Sequence, residues 1–204
     1  MTPDSKIKLK NEMQTRALQV LAPAATAKRI DSNYYVEGYA TKYEPYVLYE
    51  DFDGQPVYEK FEPGCFRECD MTDIIFQLNH AGTVMARLGN GSLIVEPDDI
   101  GLFTAADLGR TEAARRMYEE ISTGMITKMS WGFILGDYYY DAQTRTIVHR
   151  SVKKIYDVSA VSIPANPNTE INARSWADGV IDLAARSEAE LDERRRRLRL
   201  KIQI

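Results

Sequence analysis

MITKMSWGFILGDYYYD (residues 125–141) and RTIVHRSVKKIYDVSAVSI (residues 145–163) are two long runs dense in aliphatic, aromatic and β-branched residues. That composition suits a pleated, half-buried surface, so both read as strands, joined through Asp141-Ala142-Gln143-Thr144. The second runs into Pro164-Ala165-Asn166-Pro167, which must leave a sheet because proline has no N–H for the ladder. Inside the first lies Ser130, between Lys128-Met129 and the apolar Trp131-Gly132-Phe133. It is either a strand serine with a bonded hydroxyl or a nucleophile. Nothing local decides, because the chain has ten serines and lacks the G-x-S-x-G elbow.

Working outward, NYYVEGYATKY (33–43) reads as a strand with a bulge or bend near its central glycine. PYVLYEDFDGQPVYEKF (45–61) reads as two short strands around an Asp53-Gly54 turn. DIIFQLNH, SLIVEP and IGLFTAADL are three more short apolar runs, separated by Gly-Asn-Gly and Pro-Asp-Asp. One helix interrupts them. In TEAARRMYEEISTG (111–124), Ala114, Met117, Tyr118 and Ile121 fall at i, i+3, i+4 and i+7. Thr111 can cap its start, Glu112 suits the positive end of the dipole, and Gly124 can end it. Many short strands with one clear internal helix predict a mainly β, α+β fold, a barrel or sandwich with helical additions.

Flanking segments differ in texture. Residues 1–30 are mixed and polar, broken by Pro3 and Pro23, and are expected to be a partly ordered N-terminal segment. The folded domain is expected over 31–175. DLAARSEAELDERRRRLRLK opens helix-forming and ends basic, so 176–204 is expected to be a charged tail, helical or disordered. Ala184, Leu191 and Leu198 stand seven apart, too thin a seam for a coiled coil.

A 204-residue chain with 44% hydrophobic and 27% charged residues has the composition of one soluble globular domain. A net charge of −4 argues against a general nucleic-acid binder; only RRRRLRLK at the C-terminus is basic. Cys65 and Cys69 are too few for a disulfide framework and read as free thiols in a reducing compartment. No apolar stretch approaches the roughly 20 residues that a membrane span needs. ALQVLAPAA (17–25) is too short, and its lead too polar, for a signal peptide.

Two histidines limit the chemistry, because any imidazole acting near neutral pH must be His80 or His149. His80 ends an apolar run at the mouth of AGTVMARLGNG, read as a loop, where a side chain can meet a substrate. His149 lies inside a strand, its plainest reading an ordinary strand residue. Asp157 sits beside an apolar run, and a carboxylate there needs a partner. Locally that partner is Lys153, Lys154 or an arginine. Cys65, Cys69, His80 and His149 form a nominal metal set, but without compact zinc-finger spacing; no metal and no cofactor are expected.

The order of the segments carries more than any one of them. GYATKYEP, FEPGCF, LNH, RLGNGSLIVEPDDIGL, the helix, KMSWGF and IYDVSAVSIPANPNTEI follow one another from about Tyr35 to Ile171. This series resembles the prohead (capsid maturation) serine proteases of HK97-like tailed phages. Their pattern has a Gly-Tyr-Ala strand, a Pro-Gly-Ala-Phe turn, an Asn-His motif, a Ser-Phe-Gly-Phe motif and an acidic-Val-Ser…Pro-Ala motif. Cys65 stands where the family has alanine and Trp131 where it has phenylalanine.

The resemblance implies a serine endopeptidase, with 31–175 as its protease domain. The substrates would be scaffold, or a scaffold-like arm of the major capsid protein, cut inside the assembling procapsid in the host cytoplasm, with self-cleavage. It puts the nucleophile on Ser130, the base on His80 and the third member on Asp157, where relatives often carry glutamate. His149 stays open as an alternative third member. The family is itself distantly similar to the herpesvirus assemblins, which implies a β-barrel wrapped by helices and admits a homo-oligomer. By the same similarity the oxyanion loop would be Pro164-Ala165-Asn166-Pro167, where only Ala165 and Asn166 have N–H groups, and Asn166 is the named contributor. No membrane and no direct nucleic-acid role are implied. The basic tail is a candidate for self-trimming or for docking to an acidic capsid surface. The alternative is a catalytically silent scaffold or assembly protein on the same fold, against which the intact Ser130, His80 and Asp157 set counts.

Overall fold

The computed structural model describes residues 14–20, 22–23, 28–162 and 167–202. The two runs that open the sequence argument each break into a pair of strands. The first gives β10 (Lys128–Leu135) and β11 (Tyr138–Asp141), the second β12 (Thr146–His149) and β13 (Val152–Val161). The breaks face each other: Gly136 N–H donates to the Ser151 carbonyl at 3.0 Å, and Asp137 N–H to Ser151 Oγ at 2.8 Å. A Cβ on Gly136 would lie 2.2 Å from Ser151 Oγ, so only glycine lets the two chains cross this closely. Past the crossing, β11 and β12 form a hairpin in a different sheet from β10 and β13.

Among the described residues three sheets result. The first has the order β1 (Gln14–Val20), β10, β13, β6 (Ile75–Leu78), β7 (Ala81–Arg87). The second runs β11, β12, β5 (Pro56–Phe61), β4 (Tyr46–Glu50), and the third β2 (Ala22–Pro23), β3 (Tyr35–Lys42), β9 (Gly101–Asp107), β8 (Leu93–Pro97). Two pairings are parallel, β13 with β6 and β12 with β5; the others are antiparallel. The fold is therefore mainly β with helices, α+β, as the strand-rich sequence predicts. The wrapped barrel is not what forms: among the described residues all three sheets are open. Closure depends on strand tilt and register stagger, which residue composition does not encode.

The expected strands of 33–61 and 92–108 are present, and the β3 bulge falls between Tyr39 and Thr41, beyond the central glycine. AGTVMARLGNG differs from expectation. It is no loop but the edge strand β7, followed by a short 3₁₀ turn (Leu88–Asn90), because its small residues hide the strand alternation.

Among the described residues a large apolar core joins the sheets, including Val36, Phe61, Phe76, Leu102, Trp131, Phe133 and Ile147, beside a smaller cluster of Tyr35, Phe103 and Ala105. Helix α1 (Glu112–Ser122) buries Ala114, Met117 and Ile121 against it, the face its periodicity marks. Thr111 Oγ1 accepts from Ala114 N–H at 3.1 Å, the expected cap. Helix α2 (Pro167–Ile202) starts within the domain, burying Ala177 and Val180, and runs on with its described side chains exposed after Ala184.

Candidate active site

Strand alternation places the site. On β10, Met129, Trp131 and Phe133 turn into the core, where Trp131 and Phe133 stack and Phe61 meets both edge-on. Ser130 and Gly132 therefore point to the opposite face. Across the ladder, Ser130 pairs with Ser159 and Gly132 with Asp157, so these groups share that face. Six of the strand's eight residues are buried, Ser130 among them, so the serine sits on a rigid support rather than a loop.

His80 arrives from the neighbouring strand pair. Leu78 pairs with Ala81, so β6 and β7 are joined by a two-residue turn of Asn79 and His80. Both have positive φ, 52° and 56°, as a type I′ hairpin demands. A non-glycine residue rarely holds this conformation, and the surroundings over-determine it. Asn79 N–H donates to the Ala160 carbonyl at 2.9 Å, and Asn79 Nδ2 to Ser162 Oγ at 3.0 Å. Ser162 N–H donates back to Asn79 Oδ1 at 3.0 Å. His80 N–H donates to Ser159 Oγ at 3.2 Å.

So held, the imidazole bridges β13 and β10. Its Nδ1 lies 2.6 Å from Asp157 Oδ2 and its Nε2 lies 2.7 Å from Ser130 Oγ. An ionised carboxylate only accepts, so Nδ1 carries the hydrogen and donates it, leaving Nε2 to accept from the serine hydroxyl. Ser130 and Asp157 are buried, whereas the His80 side chain keeps 18% exposure, so the chain of bonds meets solvent at the imidazole. Lys154, the local candidate partner for Asp157, instead donates to Asp70 at 2.9 Å.

The sequence thus names three residues that the fold brings together, from positions 50 and 77 apart in the chain. His149 is not among them. It is fully buried in the second sheet, with Nε2 2.8 Å from Glu59 Oε1 and its ring stacked on Phe61. Arg16 of β1 binds the same carboxylate twice, at 2.6 and 2.9 Å, and Tyr46 donates its hydroxyl to it. Burial alone would raise the Glu59 pKa, but Arg16 and His149 overcome it and hold the carboxyl well below the usual carboxylate range. This cluster, and the place of Ser159 beside Asp157, had no sequence signal beyond polar residues inside apolar runs.

Ala165 and Asn166, the expected oxyanion donors, lie outside the described residues. Among the described residues no cluster of His, Cys, Asp and Glu could hold a metal ion, and no helix is long and apolar enough to cross a membrane. Burial pushes the Cys65 and Cys69 thiols up to about 12, far from a reactive thiolate.

A sequence profile of the caudovirus prohead serine proteases matches residues 23–179. The chain belongs to this family. The match spans every described strand from β3 onward, the internal helix and the start of α2. No curated protein and no solved structure matches the chain.

Proposed function

We propose that this prohead protease is a serine endopeptidase that works through an acyl-enzyme, with Ser130 as nucleophile, His80 as base and Asp157 as the orienting carboxylate. The observation that carries the reading is the unbroken line of hydrogen bonds from Ser130 Oγ to His80 to Asp157, at 2.7 and 2.6 Å, in a member of a serine protease family. Ser130 Oγ attacks the scissile carbonyl while His80 Nε2 takes its proton. The tetrahedral oxyanion collapses, the C–N bond breaks, and His80 returns the proton to the leaving amine. Water, activated by the same imidazole, then releases the acyl group from Ser130. Asp157 holds the ring in one tautomer and stabilises the imidazolium without accepting the proton.

The base step is worth about 10²–10⁴-fold. Oxyanion donors add to this, about 10²–10³ for each one. Ala165 and Asn166 are the proposed donors, being the two residues of the Pro164–Pro167 stretch with an N–H. The substrates proposed are scaffold, or a scaffold-like arm of the major capsid protein, cleaved inside the procapsid, together with the protease's own chain.

Co-expression with the capsid protein, followed by timed mass measurement of both chains, tests this. Ser130→Ala and His80→Ala should leave capsid protein and protease at full length, while Asp157→Ala slows cleavage without abolishing it. Processing by Ser130→Ala at the wild-type rate would sink the assignment. Normal processing by Asp157→Ala combined with none by His149→Ala would move the third role to His149.

A further inference from the structure

Ser159 is a buried hydroxyl that the proposed mechanism leaves unused, although it touches two of its parts. We propose that Ser159 is a positioning residue of the protease, tying the His80 main chain and the Asp157 carboxylate into one unit. This rests on the reading of Ser130, His80 and Asp157 as the catalytic set.

Residues 157 and 159 of β13 point to one face, and Ser159 stands directly across the ladder from Ser130. Its Oγ lies 2.6 Å from Asp157 Oδ2 and 3.2 Å from His80 N. The directions of both bonds are fixed. A carboxylate only accepts and a main-chain N–H only donates, so the one hydroxyl hydrogen goes to Asp157 and an oxygen lone pair receives His80 N–H. Asp157 Oδ2 therefore takes two donors, the Ser159 hydroxyl and His80 Nδ1. Together they set the rotation of the carboxylate.

Ser159 has no solvent exposure, so water cannot readily replace its hydroxyl. The turn it holds is also one that resists spontaneous formation, since His80 sits at φ 56°. A hydroxyl that merely stapled strand to turn would need only the bond to His80 N–H. This one also reaches the same carboxylate oxygen that orients the imidazole. A swing of Asp157 would tilt Nδ1–H and carry Nε2 off Ser130 Oγ, which it now meets at 2.7 Å.

The test compares the full-length wild type with Ser159→Ala, and Ser159→Thr with Ser159→Val, a pair matched in shape and differing in the hydroxyl. With a peptide cut by the wild type, Ser159→Ala should lower kcat about 10- to 100-fold and leave KM unchanged, since Ser159 touches no substrate. Ser159→Thr should exceed Ser159→Val in kcat by about tenfold or more, and labelling of Ser130 by a fluorophosphonate should slow in the same order. Equal rates for Thr and Val at equal thermal stability would overturn the proposal, as would an unchanged kcat in Ser159→Ala. Ser130→Ala is the control. If it is inactive while Ser159→Ala is normal, only the positioning role fails; if Ser130→Ala is active, the catalytic reading fails with it.

Discussion

Gly132 lies directly opposite Asp157 in the β10–β13 ladder. Side chains facing each other across an antiparallel pair have Cβ atoms about 5 Å apart, so any Cβ at position 132 would project beside the Asp157 carboxylate. His80 Nδ1 meets the same carboxylate at 2.6 Å. The glycine two residues after the proposed nucleophile thus leaves that carboxylate without a side chain across the ladder.

Gly132→Val should consequently fold, with the core face of β10 untouched, and lose activity by on the order of 10²-fold, the usual cost of displacing a catalytic group by about 1 Å. Gly132→Ala should fall between. Peptide hydrolysis beside a thermal melt measures both. Wild-type kcat in Gly132→Val would show that the space above Asp157 is not needed.

Glu59 supplies a prediction about acid stability. Its carboxyl is fully buried and its folded pKa is depressed, despite burial, by Arg16 and His149. A depressed carboxylate contributes stability that is complete above its unfolded pKa of about 4.3 and is lost as pH falls toward the folded value. Urea unfolding should therefore show a plateau above about pH 5 and a steep loss below it. Glu59→Gln should flatten that acid limb, while at pH 7 it costs roughly 3–5 kcal/mol, because a buried ion pair that Arg16 binds twice is broken. An acid limb as steep in Glu59→Gln as in the wild type would mean that other carboxylates govern it.

The site was legible where chemistry needs scarce residues in ordered segments, and obscure where it depends on pairing. Ser130, His80 and Asp157 could be proposed because the ordered motifs resemble those of the protease family, with only two histidines to choose between. The means of bringing them together could not. Asn79-His80 lacks the glycine that marks a two-residue hairpin, so in sequence the turn looks like a loop mouth and β7 like the loop itself. Arg16 falls in a segment whose own residues predict little; its strand character comes from pairing with β10, and its burial from Glu59, 43 residues away. The parallel β13–β6 pairing that sets His80 over β13 is equally non-local. Helix α1, by contrast, is a local structure, and its spacing shows both its cap and its buried face.

Cysteine chemistry gives a simple check on the serine mechanism. With both thiols pushed up to about 12 by burial, neither is a nucleophile near neutral pH. Iodoacetamide at pH 7.5 should leave peptide hydrolysis unchanged over an hour, whereas a fluorophosphonate should abolish it and add its mass to the peptide holding Ser130. Rapid inactivation by iodoacetamide, prevented in a Cys65→Ala variant, would contradict this.

The C-terminal boundary decides the last prediction. A cut at residue 175, where composition shifts, would remove Ala177 and Val180 from the core and the hydrogen bond from Tyr49 Oη to Asp178 Oδ1, 2.6 Å. The family match reaches residue 179, consistent with this first part of α2 belonging to the domain. Deleting 176–204 should hence cost about 2 kcal/mol or more from lost burial, lowering the melting temperature and the yield of active protein. Deleting 186–204 removes a segment whose described side chains are all exposed and should leave melting and peptide cleavage as in the wild type. If the basic Arg194–Arg197 run docks the protease to an acidic capsid surface, this shorter deletion should still reduce its incorporation into procapsids, more so as salt rises in variants that keep part of the run. Full incorporation of the 186–204 deletion, with normal cleavage, would leave the tail without a docking role.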